Sequence, residues 1–222
     1  MLHKTEGVVF KFIKYRDSSI IANIFTQKFG LQSYIVNGVR SKTAKSKIAL
    51  FQPLTCLDLV VYHKDNGDIH RISELKCNHP FRTIPIDIHK SSIALFLTEL
   101  LHKTIREQND TEDLFTFIQQ SVLVLDHLEN GVENFHIQFL LKLSRYLGFG
   151  VSENDELKSI MIETETDFSW LSELNIQPFG HHLKITNETR SRLLMSVINY
   201  YRQHYSALGE IKSLAILSEV LN

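Results

Sequence analysis

Between Thr5 and Cys77 the apolar positions fall in short runs rich in Val, Ile, Phe, Tyr and Thr, cut by Gly, Asn, Asp and Ser, which is the punctuation of strands rather than helices. The pattern predicts five. The first covers about Thr5 to Tyr15, with Val8, Phe10 and Phe12 on one face and Val9, Lys11 and Ile13 on the other. Arg16-Asp17-Ser18 turns into a second strand, Ser19 to Thr26, and Phe29-Gly30 leads to a third, Leu31 to Val39. A fourth, Leu54 to His63, meets a fifth, Ile69 to Cys77, across Asp65-Asn66-Gly67-Asp68, and Asn-Gly is the strongest short hairpin signal. A two-residue turn there sets His63 opposite His70 and Cys56 opposite Cys77. It also sets Leu75 against Asp58 and Glu74 against Leu59, so a bulge near Ser73 is expected, which unmatches the cysteines. Five short strands in so little chain hide core and edges best as a small barrel, and an OB-like barrel fits the count. An SH3-like barrel or a small open sheet are the alternatives on pattern alone.

Past Pro80 and Pro85 the period lengthens. Asp87 can cap a helix carrying Ile93, Leu97, Leu100, Leu101 and Ile105 at spacings of three and four. Asp110 to Asp113 open a second with Leu114, Phe117, Ile118, Val122 and Leu125, where the helix dipole favours acids. A third starts near Glu133 or Asn134 and runs through Phe135, Phe139, Leu140 and Leu143 to Gly148. Residues 149 to 186 lose the period and read as irregular, with room for one short strand pair. A fourth helix opens at Asn187, and Ile211 to Leu221 form a fifth. The expected class is thus α+β in two domains: an OB-fold barrel over 1–79 and an all-α helical domain over 80–222, with an irregular insertion at about 150–186.

The 222 residues are 43% hydrophobic and 22% charged, ordinary for a folded chain, and the net charge of −1 hides an asymmetry. Met1 to His79 hold 12 of the 24 basic residues but 6 of the 25 acidic ones, about +6 against about −7 for the rest, which suggests that a polyanion-binding module precedes a differently tasked one. The N-terminal residues lack the apolar core of a secretory signal, and Ile93 to Leu101, interrupted by Thr98 and Glu99, is far short of the roughly 20 residues that span a bilayer. With two cysteines alone, a cytoplasmic, non-membrane protein is expected.

No phosphate loop, dinucleotide fingerprint, nucleophile elbow or His-Glu-x-x-His motif is present, so the chain reads as a non-enzyme without a cofactor. The histidine and cysteine pairs lack zinc spacing, and Cys56 and Cys77 read as small buried hydrophobes, so no metal is expected. The candidate chemistry is cationic. Arg40, Lys42, Lys45 and Lys47 follow the third strand, interleaved with Ser41, Thr43 and Ser46, and no acid lies between Asp17 and Asp58. Such a loop can track a phosphate backbone, and Lys11, Lys14 and Arg16 can extend the track. Tyr15 and Tyr34, whose hydroxyls tolerate water, are the candidates for stacking on bases. The alternative is a loop kept soluble by its lysines.

These residues carry a resemblance. Glu6-Gly7-Val8-Val9, Phe25-Thr26 with Gly30, Gly38-Val39-Arg40-Ser41-Lys42, Gln52-Pro53 and Leu147-Gly148-Phe149-Gly150 resemble, in order and spacing, the RecO family of bacterial recombination mediators, and Glu210-Ile211-Lys212-Ser213-Leu214 is similar to its Bacteroidetes branch. The resemblance implies an OB fold, a helical C-terminal domain, binding of single- and double-stranded DNA, ATP-independent strand annealing, and recombinase loading in partnership with RecR and the acidic C-terminal tail of single-strand-binding protein. It implies a nucleoid-associated place in the cytoplasm. Many members carry a four-cysteine zinc module after the Leu-Gly-Phe segment; this chain has no cysteine beyond Cys77, so zinc is not carried over. Lys142, Arg145 and Tyr146 on the third helix approximate the family's tail pocket, with a solvated helix face as the alternative. A protein adaptor using barrel and helices is the competing function.

Overall fold

In the computed structural model, residues 1–40, 45–64, 67–105, 112–150 and 164–221 are described, Lys45 and Ser46 by their backbone. Five strands, β1 (Leu2–Tyr15), β2 (Ser19–Thr26), β3 (Gly30–Val36), β4 (Cys56–Tyr62) and β5 (His70–Cys77), close a barrel in the order β1-β2-β3-β5-β4. The OB-like barrel predicted from the strand count is the one observed. Its β3 is shorter than the pattern suggested, ending at Val36 rather than Val39, and β1 begins earlier, at Leu2.

The length of β1 has a purpose: its first half pairs with β4, from Leu2↔Tyr62 to Val8↔Cys56, and its second half with β2, from Gly7↔Thr26 to Tyr15↔Ser19. Gly7 stands at the crossing, where a Cβ would come within 2.6 Å of Ile24 Cγ2 and 2.9 Å of Leu59 Cδ1. Only glycine lets the strand bend that close to its neighbours. Two residues later the β1–β2 register shifts between Val9 and Lys11. This bulge corrects the predicted faces. Val9 and Phe12 both meet the barrel core, whereas Lys11 and Ile13 lie outside. On the outside at the bulge, Phe10 stacks on Phe25 at 5.8 Å, and Phe25 in turn meets Phe115 at 6.1 Å.

The core itself gathers Val9, Ile20, Ala22, Ile24, Tyr34, Val36, Leu57, Leu59, Val61 and Ile72, closed at one end by Phe51, Ile48 and Leu50 from a short helical connection, α1 (Lys45–Ile48) and a 3-10 turn (Ala49–Phe51). The β4–β5 ladder shifts between Val60 and Val61, leaving Ser73 unpaired, so Leu57 faces Cys77 and Leu59 faces Leu75. That is the bulge the polar mismatch demanded. The closing β3–β5 seam is parallel and consists of Tyr34↔His70 and Ile35↔Arg71.

Among the described residues six helices follow: α2 (Ile88–Thr104), α3 (Glu112–His127), α4 (Phe135–Tyr146), α5 (Glu165–Ile176), α6 (Asn187–His204) and α7 (Ser213–Leu221). Asp87 caps α2 as expected, its Oδ1 accepting from the amides of His89 (2.8 Å) and Lys90 (3.2 Å). Helix α5 corrects the irregular reading of 150–186: among its described residues, 164–186, a helix of 12 residues forms and no strand. Thr164 Oγ1 accepts from Asp167 N at 3.1 Å, the first half of a capping box, and Leu171 and Leu174 are buried.

The chain divides into a unit of Met1–Phe81 with Ile105–Gln120 and a unit of Arg82–Thr104 with Ser121–Asn222. In the second, several buried charged groups are held by networks of hydrogen bonds. Asp126 accepts from the amides of Arg82, Thr83 and Ile84 at 2.9–3.1 Å. Burial alone would raise its pKa, but these amides outweigh that and hold the carboxyl below its ordinary value. Arg192 grips Asp167 with two bonds of 2.9 and 2.8 Å. The Arg190 guanidinium donates to Asn134 Oδ1, Asn187 Oδ1 and the carbonyls of Ile185 and Leu221. Among the described residues no helix is long and apolar enough to cross a membrane.

Candidate nucleic-acid interface

Past the bulge, the alternation of three neighbouring strands builds one outward surface from transverse rows. The first row is Lys11↔Asn23↔Ser33, with Asn23 Nδ2 donating to Ser33 Oγ at 3.1 Å. The second is Ile13↔Ile21↔Ile35, continued across the parallel seam by Arg71. The third begins with Tyr15↔Ser19. Ile13 is 55% exposed, whereas Ile21 and Ile35 are half-buried, so an aliphatic strip lies open between Lys11 and Arg71. From Ser18 to Leu57 the chain contains no carboxylate, and β1 beyond Glu6 adds none. The β2–β3 face of an OB fold and the β1–β2 and β4–β5 loops beside it are the surfaces on which this architecture takes oligonucleotides.

The opposite side of the barrel differs. A cleft of about 560 Å³ is lined by Lys4, Lys28 and Lys76 but equally by Glu6, Asp58 and Glu74. Asn78 Nδ2 donates to Asp58 Oδ1 (2.6 Å) and Gln119 Nε2 to Glu6 Oε2 (2.6 Å). Cations there are offset by acids, so a polyanion gains little.

The sequence candidates separate accordingly. Lys11 and Tyr15 share the outward face; Lys14, three residues from Lys11, points to the other side of β1. Arg16 lies over the Tyr15 ring at 5.2 Å, and Arg40 joins it across 24 residues, with Arg40 Nη1 donating to Arg16 O and Arg40 N to Ser18 O, both at 3.0 Å. Lys47 is exposed on α1; Lys42, with Ser41 and Thr43, lies outside the described residues, as does the side chain of Lys45. Tyr34 is withdrawn as a stacking residue: it is wholly buried in the barrel core, and burial pushes its phenol above the ordinary value. Its β3 position alternates in phase with Val36, so its ring points inward whatever its hydroxyl prefers. The pattern missed Arg71, which reaches this face only through the seam, and the strip of Ile13, Ile21 and Ile35.

The barrel end beside β5 is closed by rings. Phe29 stacks on His63 at 4.0 Å and His63 on His70 at 4.4 Å, with His3 edge-on to Phe29 at 5.3 Å. Gln32 Nε2 donates to Phe29 O at 2.7 Å, which leaves its Oε1 to accept from His70 Nε2 at 3.0 Å and fixes that tautomer. Burial, then the adjoining His63, pushes the His70 imidazole below its ordinary pKa. Among the described residues no three His, Cys, Asp or Glu side chains could hold a metal ion. Cys56 is buried, its thiol pushed up to about 12 by burial and then by Cys77 and Glu6; Cys77 is half-buried.

In the helical unit, Lys142 is occupied: its Nζ donates to the carbonyls of Asn175 and Gln177, both at 2.9 Å, closing the C-terminal end of α5. That corrects its reading as a free rim cation. Burial, and then Arg145, lowers its ammonium pKa. Arg145 is exposed and donates to Asn175 Oδ1 at 3.0 Å, and Tyr146 is exposed on the next position of α4. Nearby in sequence, Phe149 stacks on His204 at 4.4 Å and meets Tyr200, Tyr201 and Tyr205 edge-on.

Comparison with known proteins agrees with this architecture. Residues 1–81 match the family described as recombination protein O N terminal, and residues 86–181 match recombination protein O C terminal. DNA repair protein RecO of Flavobacterium johnsoniae is 36% identical over 235 residues, covering 99% of each chain. The proteins of that name from Bacteroides fragilis and Phocaeicola vulgatus are 35% and 31% identical over 242 residues, all of this chain in both cases. A two-part match in chain order, with full-length relatives above 30% identity, makes this chain a member of the RecO family of DNA repair and recombination proteins.

Proposed function

We propose that the barrel binds single- and double-stranded DNA on the β1–β2–β3 face and promotes annealing of complementary strands without nucleotide hydrolysis, loading recombinase together with RecR. The observation that carries this reading is that the carboxylate-free strands β2 and β3 lie beside Lys11, Arg16, Arg40 and Arg71. Cations on one face neutralise phosphates of two strands and lower the repulsion that slows their encounter, while base pairing supplies the specificity. The tail of single-strand-binding protein is assigned to the exposed end of α4, where an exposed cation, Arg145, and an exposed ring, Tyr146, occupy successive positions.

The test is annealing of two complementary oligonucleotides coated with single-strand-binding protein, in the absence of nucleotide and metal. Wild-type protein should accelerate it, and alanine at Lys11, Arg40, Lys47 and Arg71 should slow it. The same variant should lower the slope of log affinity for single-stranded DNA against log salt by up to about 3 units, at roughly 0.7 per lost phosphate contact. Annealing at the spontaneous rate with wild-type protein, or an unchanged slope in the variant, refutes the assignment.

A further inference from the structure

Phosphate contacts treat single and double strands alike, yet the centre of this face is not cationic. We propose that the strip of Ile13, Ile21 and Ile35 makes the face prefer unpaired DNA, by receiving exposed bases on aliphatic side chains; the inference rests on the DNA-binding reading of the same surface. In a duplex the base faces are stacked on one another and the phosphates stand outermost, so an aliphatic strip meets charge and gains nothing. In a single strand the bases can turn toward the protein and lie flat, burying apolar area on both sides.

The geometry fits that task. The row crosses four strands, so with neighbouring strands about 4.8 Å apart it is about 14 Å from Ile13 to Arg71, wide enough for more than one base. Lys11 borders the strip at one corner and Arg71 ends it, leaving phosphates cationic places at its rim. Within the row itself no ring stands beside the isoleucines: Tyr34 is inside the barrel, Arg16 lies over Tyr15, and the exposed Tyr62 lies beyond Arg71 at the far end. Asn23 and Ser33 in the adjoining row bond to each other, which commits one donor of the amide within the protein. Charge also chooses the occupant. A protein partner needs no pair of carboxylate-free strands edged by cations, as β2 and β3 are here, whereas a polyanion does.

The experiment compares a labelled oligo-dT and a duplex of equal length against three variants of the full-length protein. Ile13→Thr, which keeps a β-branched strand former at an exposed position, should weaken oligo-dT binding about three- to tenfold while leaving duplex affinity within about twofold and both salt slopes unchanged. Ile13→Tyr should restore or strengthen oligo-dT binding, because a ring stacks better than a branched alkyl group. Arg71→Ala should weaken both forms of DNA and lower both slopes. If Ile13→Thr weakens both forms equally, or neither, the strip does not select single strands; equal wild-type affinities in the latter case hand it to a protein partner. If Arg71→Ala leaves both forms untouched, it is the DNA-binding reading of this face that fails instead.

Discussion

Glu99 on α2 supplies what the start of α7 lacks. Its carboxylate accepts from Lys212 N at 3.1 Å, Ser213 N at 2.9 Å and Ser213 Oγ at 2.7 Å, and Lys103 Nζ stands 3.1 Å away. Burial raises its pKa, but the Ser213 and Lys212 bonds outweigh that and bring the group from an ordinary 4.5 to about 2. A carboxyl depressed in the folded state contributes stability that is complete above its unfolded pKa and drains away as pH falls through the folded one, here between about pH 4.5 and 2. At 1.36 kcal/mol per pKa unit, the contribution at pH 7 is about 3 kcal/mol, and about 2 of these are gone by pH 3. Glu99→Gln keeps the shape and one acceptor but cannot ionise. Urea unfolding at pH 7 should find it about 2–3 kcal/mol less stable than wild type, with the gap closing to about 1 kcal/mol at pH 3. A gap that is the same at both pH values, or under about 0.5 kcal/mol at pH 7, refutes the cap.

Gly7→Ala forces a Cβ to within 2.6 Å of Ile24 Cγ2 in the barrel core, and calorimetry should record a loss of about 1–3 kcal/mol, with a neutral result dismissing the close approach as the reason for glycine. Tyr34→Phe should leave affinity for oligo-dT unchanged within about twofold, since the ring is inside the barrel; a marked loss would return Tyr34 to the interface.

Strand count, hairpin and the bulge opposite Val60 were legible because each depends on polar residues being kept out of a core: Asp58 and Glu74 could not face leucines. The bulge at Phe10 was not. Either phase of β1 sets apolar side chains on both faces, Val8 and Phe10 against Val9 and Ile13, so alternation does not say which is inside. What decides is a second apolar layer, with Phe115 from a segment far along the chain covering Phe25. Helix α5 did leave a signal, Thr164-Glu165-Thr166-Asp167, outweighed by the nearby Gly and Pro. At the site, Lys11, Arg16 and Arg40 could be named from charge alone, but Arg71 required the seam, and Lys142 was misread because the helix end that occupies it lies over thirty residues away. Tyr34 was misjudged by chemistry where geometry ruled.

The shift between Val9 and Lys11 makes Phe10 a residue of β1 that the ladder with β2 does not count. Removing Phe10 would join the pair Val9↔Ile24 directly to Lys11↔Asn23 and leave Lys11, Phe12 and Ile13 on their present faces, losing the ring that stacks on Phe25. A one-residue gap is therefore absorbed at Phe10, whereas one farther along would turn Lys14 and Tyr15 to the opposite faces and carry the charged exterior inward.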